Sequence, residues 1–206
     1  MKQYCERCIY EALPHTVINV PQLKHIFTEG TRLSHVYRIK EGLVKMNRVH
    51  PSGDEKIFDV LGPNDYLALI AVLQGKEDYV ASAIALTDVT LIKMDTHVVL
   101  NAYHSNKIFQ STCLQCAVTR STMFQDKLFQ TSNVDTEEKI LNILHILAKK
   151  FGSTHKGVVT LNLPFSKTVL ASIVGIRRET LSRKLSKMQQ HNIIRINKNT
   201  YYFNRL

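Results

Sequence analysis

Four cysteines stand in the chain as two pairs of identical spacing, Cys5-x-x-Cys8 and Cys113-x-x-Cys116. Four thiolates are a sufficient donor set for an iron–sulfur cluster of the 4Fe–4S type or for a tetrahedral zinc. The same pairs could instead form reversible disulfides. A third reading leaves Cys113 and Cys116 as small packing residues and the other pair without a ligand. Met1 to Cys8 lacks the apolar core of a signal peptide, so the chain is expected to be cytoplasmic, where structural disulfides are rare.

A second set of residues carries a different chemistry. Between Ser166 and Ile194, Ala171 and Gly175 have the spacing of a helix-turn-helix: a small residue where two helices cross, then a glycine at the turn. Leu170, Val174, Ile176, Leu181 and Leu185 supply the packing side. The outward side of the second helix presents Arg177, Arg178, Glu179, Ser182, Arg183 and Lys187, groups suited to base edges and phosphates. Ile193 to Ile196, a turn at Asn197-Lys198-Asn199, and Thr200 to Phe203 form a basic hairpin, the wing of a winged helix. The partner expected of this segment is double-stranded DNA.

Enzymatic chemistry finds little support. Cys5-x-x-Cys8 lacks the strand-then-helix setting of a thiol oxidoreductase. The nine histidines are scattered, and neither a Walker loop nor a glycine-rich dinucleotide fingerprint is present. The chain reads as a non-enzyme.

The elements that must position these residues follow from length, charge and pattern. At 206 residues the chain suits two modest domains. No apolar stretch approaches the roughly 20 residues of a membrane span. Net charge is +10, and the excess is concentrated. From Val134 onward thirteen basic residues face four acidic ones, whereas residues 1–133 are nearly balanced at fourteen against thirteen. Such a concentration favours a polyanion, and its fall on a helix pair and hairpin speaks against a membrane surface.

From about Val17 to Met94 short strands alternate with turns, predicting an antiparallel barrel or β-roll. Val36 to Ile39 is read as an alternating strand. From Asp95 to Ser132 no glycine or proline interrupts. Asp95 or Thr96 is expected to cap a short helix and Ser105 a longer one. On the longer helix, Leu114, Ala117, Ser121, Phe124 and Leu128 recur at coiled-coil spacing, pointing to a homodimer. Cys113 and Cys116 share a face turned aside from that seam. Asp135 and Glu138 open a further helix with Ile140, Leu141, Ile143, Leu144 and Leu147 on its apolar face, ending at Phe151-Gly152-Ser153. A strand from Val158 to Leu163 follows.

Several of these stretches together resemble the cyclic-AMP receptor protein/FNR (CRP/FNR) superfamily of bacterial transcription regulators. They are Tyr37-Arg38-Ile39 with Gly42-Leu43-Val44-Lys45, Gly53-Asp54-Glu55, Leu61-Gly62-Pro63-Asn64-Asp65, and the helix-turn-helix. The resemblance implies an α+β chain: an N-terminal antiparallel β-roll of the cupin-like jelly-roll kind, a long dimerisation helix and a C-terminal winged helix-turn-helix. The corresponding segments are 1–95, 96–133 and 134–206. It also implies a symmetric homodimer on a palindromic operator, with RNA polymerase as a further partner.

Details place the chain nearest the FNR and FNR-like (Flp) branch. Members that bind cyclic nucleotides carry Gly-Glu after the Asp of the third turn and a phosphate-holding Arg-Ser. Here Asp65 is followed by Tyr66-Leu67-Ala68, and Tyr79 stands nearest the arginine's place. Glu179, Ser182 and Arg183 match the FNR pattern, which implies half-sites resembling TTGAT, whereas Arg178 is closer to the cyclic-AMP receptor pattern. A redox or oxygen response through Cys5, Cys8, Cys113 and Cys116 is one implied signal. A small ligand in the β-roll, with structural cysteines, is the other.

Overall fold

The computed structural model describes residues 13–49, 55–132, 134–155 and 157–204. It divides into two compact units, the first within 1–53 and 58–122, the second within 54–57 and 123–206. Cys5 and Cys8, Ser52 to Asp54 and Asn133 lie outside the described residues.

The first unit opens with β1 (Thr16–Val20), β2 (His25–Phe27), β3 (His35–Glu41), β4 (Val44–Val49), β5 (Glu55–Leu61) and β6 (Tyr66–Leu67). A short helix α1 (Leu69–Leu73), β7 (Ser82–Ala85) and β8 (Val89–Asp95) follow. The strands form two four-stranded sheets, ordered β1-β8-β3-β6 and β2-β7-β4-β5. Together they enclose one apolar core in which Val36, Ile39, Val44, Ala83, Ala85 and Leu91 are fully buried. This is the antiparallel β-roll of the sequence analysis.

Strand β3 departs from expectation. Val36, Tyr37, Arg38 and Ile39 are all buried, with no alternation between faces. Both faces of the strand are covered, so burial no longer follows the pleat. Arg38 is tolerated there because its Nη2 donates to Asn64 Oδ1 at 2.6 Å. The turn carrying Asn64 is itself fixed: Gly62 N–H donates to Asp65 Oδ2 at 2.9 Å, and Ile39 N–H to the Asp65 carbonyl at 3.0 Å. Gly42 is required where it stands, since its φ is +87° and a Cβ would come within 2.3 Å of the Asp88 carbonyl oxygen.

Next come α2 (Thr96–Ser105) and α3 (Lys107–Thr131). Asp95 caps α2, accepting from His97 N–H at 2.8 Å. Ser105 does not cap α3: it ends α2, and its hydroxyl donates back to the Asn101 carbonyl at 2.7 Å. Asn106 takes the capping role, its Oδ1 accepting from Ile108 N–H at 3.0 Å and Phe109 N–H at 3.1 Å. The side chain after the helix end wins because only it has the extended backbone that a cap needs. Farther along α3, Arg120 donates to Asp59 Oδ2 and to the Tyr66 carbonyl, each at 3.3 Å, tying the helix to β5 and β6.

The second unit holds α4 (Thr136–Phe151), β9 (Ser153–His155), β10 (Val158–Asn162), α5 (Lys167–Val174), α6 (Arg178–Gln190), β11 (Ile194–Asn197) and β12 (Thr200–Asn204). Asp135 caps α4, accepting from Glu137 N–H at 2.7 Å and Glu138 N–H at 3.0 Å. Its buried face is Ile140, Ile143, Leu144 and Leu147, with Leu141 at the margin. The sheet runs β11-β12-β10-β9. Strand β9, which lacks the apolar pattern of a strand and is exposed throughout, had no sequence signal.

Candidate nucleic-acid interface

Helix α5 begins at Ser166, whose hydroxyl accepts from Val169 N–H at 3.4 Å. It ends at Gly175 in the left-handed region, φ 78° and ψ 38°. That turn lets Gly175 N–H and Ile176 N–H both reach the Ala171 carbonyl, at 2.8 and 3.0 Å. The small side chain of Ala171 is buried beneath. The spacing read from the sequence is therefore the geometry that turns the chain into α6.

Leu181, Leu185 and Met188 pin α6 from below, all buried. Met188, three residues beyond Leu185, was not anticipated, although its spacing continues the apolar stripe. Glu179, Arg183 and Lys187 follow one another at four-residue steps and are exposed, with Ser182 half-buried beside them. Arg177 precedes the helix as its capping residue, and Arg178 is the first helical position. Both are exposed. Ser186 and Gln190 share this outward arc and were missed; the four- and seven-residue steps from Ser182 and Arg183 were the available signal.

Lys187 is not simply an outward cation. Its Nζ lies 3.4 Å from Glu137 Oε1, and the same oxygen accepts from Lys184 Nζ at 2.9 Å. The Lys184 ammonium, with Lys187 adding to it, holds the Glu137 carboxyl below the usual carboxylate range. The wing turns at Lys198, φ 53°. Within it the Arg195 guanidinium sits 4.5 Å above the Tyr202 ring, a cation–π contact that fixes the long side chain.

The cysteines are placed differently. Cys113 is 0% exposed and belongs to the core of the first unit beside Phe109, with Cys116 half-buried against it. Among the described residues no group of three His, Cys, Asp or Glu side chains is placed to hold a metal ion. Cys113 and Cys116 are two of the four expected donors, and the other two, Cys5 and Cys8, lie outside the described residues; a four-thiolate cluster or zinc site needs all four. No described helix is long and apolar enough to cross a membrane.

Two family models match this chain: the Cyclic nucleotide-binding domain over residues 17–106 and the Crp-like helix-turn-helix domain over residues 138–204. The chain belongs to the CRP/FNR superfamily. Among the relatives of this chain, the Global nitrogen regulator of Nostoc sp. is 27% identical over 188 residues, covering 91% of this chain and 84% of the relative. The Regulatory protein HlyX of Actinobacillus pleuropneumoniae is 24% identical, covering 88% and 75%. The solved structure of FixK2 from Bradyrhizobium japonicum shares the fold at a TM-score of 0.80 with 17% identity, covering 94% of each chain. As a CRP/FNR member the chain is a DNA-binding transcription regulator and not an enzyme.

Proposed function

We propose that the chain acts as a homodimer reading a palindromic operator through α6, with residues 1–95 as sensor, 96–133 as dimerisation segment and 134–206 as reader. The observation that carries this is the row Glu179, Arg183 and Lys187, exposed on a helix whose opposite side is anchored by Leu181, Leu185 and Met188. Glu179 can accept from a cytosine amino group, and Arg183 can give two bonds to guanine, with Ser182 assisting. This supports half-sites resembling TTGAT. Arg177 and Arg178 at the helix start, and Lys187 near its end, are the cations for phosphate. A good base contact discriminates by about 1–3 kcal/mol. Arg183→Ala should therefore lower operator affinity at least about tenfold while random DNA loses about twofold or less. Equal losses on both sequences would overturn the reading.

The signal we assign is thiol chemistry. What supports this is that Cys116 is half-buried on α3, one turn from Cys113, which is buried in the core of the first unit. An iron–sulfur cluster would need Cys5 and Cys8 as well. Metal and sulfide analysis of protein purified without oxygen decides between a cluster, zinc and thiols alone.

A further inference from the structure

Glu137, on the first turn of α4, faces two lysines of α6 with a single carboxylate oxygen. The two contacts are unequal. Lys184 is 2.9 Å away with a side chain 29% exposed, a short and half-enclosed bond. Lys187 is 3.4 Å away and 53% exposed, a longer pair open to water. The two lysines also differ in position along the helix. Lys187 lies one turn beyond Arg183 and so borders the outward row, whereas Lys184 lies toward α4. A carboxylate 21% exposed thus holds one lysine as a strut and the other as a loosely kept cation.

We infer that Glu137 is a positioning residue that keeps Lys187 in reserve and surrenders it to a DNA phosphate when α6 enters the groove. This rests on the proposal that α6 faces DNA. Lys184 stays on Glu137 and keeps α6 in place against α4 while Lys187 changes partner. The exchange sets one ion pair against another, so the phosphate contact made by Lys187 is partly offset by the pair it leaves. Because phosphate is common to every sequence, the offset weakens sequence-independent binding without touching base contacts. Glu137 would thereby raise the share of binding that depends on sequence.

The test is a double-mutant cycle read on a random-sequence duplex, so that no operator need be known. Glu137→Gln should raise affinity about two- to fivefold, the scale of one exposed ion pair. Lys187→Gln should lower it, and Lys187→Arg should restore it. In the Lys187→Gln background the gain from Glu137→Gln should largely vanish. Glu138→Gln, which removes the same charge one residue on, should give a smaller gain. A gain that persists without Lys187, or equals that of Glu138→Gln, means plain charge repulsion and overturns the proposal. A Lys187→Gln protein binding as well as wild type overturns it even if Glu137→Gln does not fold. Failure of Arg183→Ala to affect sequence preference would instead refute base reading by α6 and leave this cycle interpretable.

Discussion

The rings of Phe27 and Tyr79 lie face to face, their centroids 4.0 Å apart and their planes 10° from parallel. The Tyr79 hydroxyl donates to the His35 carbonyl at 3.0 Å and accepts from His35 N–H at 3.2 Å. Tyr37 lies against the same pair, and burial, with Tyr79 beside it, pushes its hydroxyl pKa up. Tyr79, read from the sequence as nearest the place of a phosphate-holding arginine, thus has its stacking and hydrogen bonds already committed. Cyclic AMP and cyclic GMP should give no binding heat in calorimetry and leave DNA affinity unchanged. Micromolar binding of either would return the chain to the nucleotide-gated members of its superfamily.

Leu114 is 62% and Leu128 69% exposed in the single chain, on a helix whose Phe109 and Cys113 are fully buried. An apolar row left this open fits a second copy of α3. Leu114→Arg with Leu128→Arg should shift sedimentation from dimer to monomer and abolish operator binding, while circular dichroism stays that of a folded chain. A dimer that survives both changes would move the interface elsewhere.

Asp135 accepts from the Glu138 and Glu137 N–H groups, and these bonds, with Lys184 and Lys187 nearby, hold its pKa below the usual carboxylate range. A depressed carboxylate stabilises the folded state above its unfolded pKa, near 4, and ceases to do so as pH falls through the folded value. Asp135→Ala should therefore melt below wild type at pH 7. The gap in Tm should narrow as pH is lowered from about 4 toward 2. A gap independent of pH would mean that the carboxylate is not the capping group.

Cys116 is half-buried and Cys113 fully buried. In native, reduced protein, iodoacetamide should therefore alkylate Cys116 well before Cys113, and mass spectrometry of the digested chain separates the two. If oxidation of Cys116 carries the signal, Cys116→Ser should make DNA binding indifferent to oxidant. Indifference of the wild type would leave both sulfurs as packing residues.

Features decided within a few residues were open to reading. Ala171 and Gly175 announced the helix turn, and Asp135 announced α4, because caps and turns depend on neighbours in the chain. Strand β3 was misread because its burial depends on what covers each face, and no pattern inside Val36–Ile39 carries that. Ser105 and Asn106 are both good caps, and the choice waited on where α2 stops. The link from Glu137 to Lys187 spans fifty residues of chain, and nothing in either segment names the other. The outward row on α6 was legible because helical spacing alone places Glu179 and Arg183 together.

Asn106, in extended backbone between two helices, has one further effect. A continuous rod from Thr96 to Thr131 would have a single angular phase, and the orientation of every side chain on α3 would be inherited from α2. The break at Asn106 resets that phase, so the azimuth of α3 is set by how Phe109 seats in the core. Each residue on a helix turns by about 100°. Deleting one residue between Phe109 and Leu114 would therefore swing the apolar row about a quarter-turn around the axis without disturbing α2. The handing-on of orientation along this chain starts at one side-chain amide.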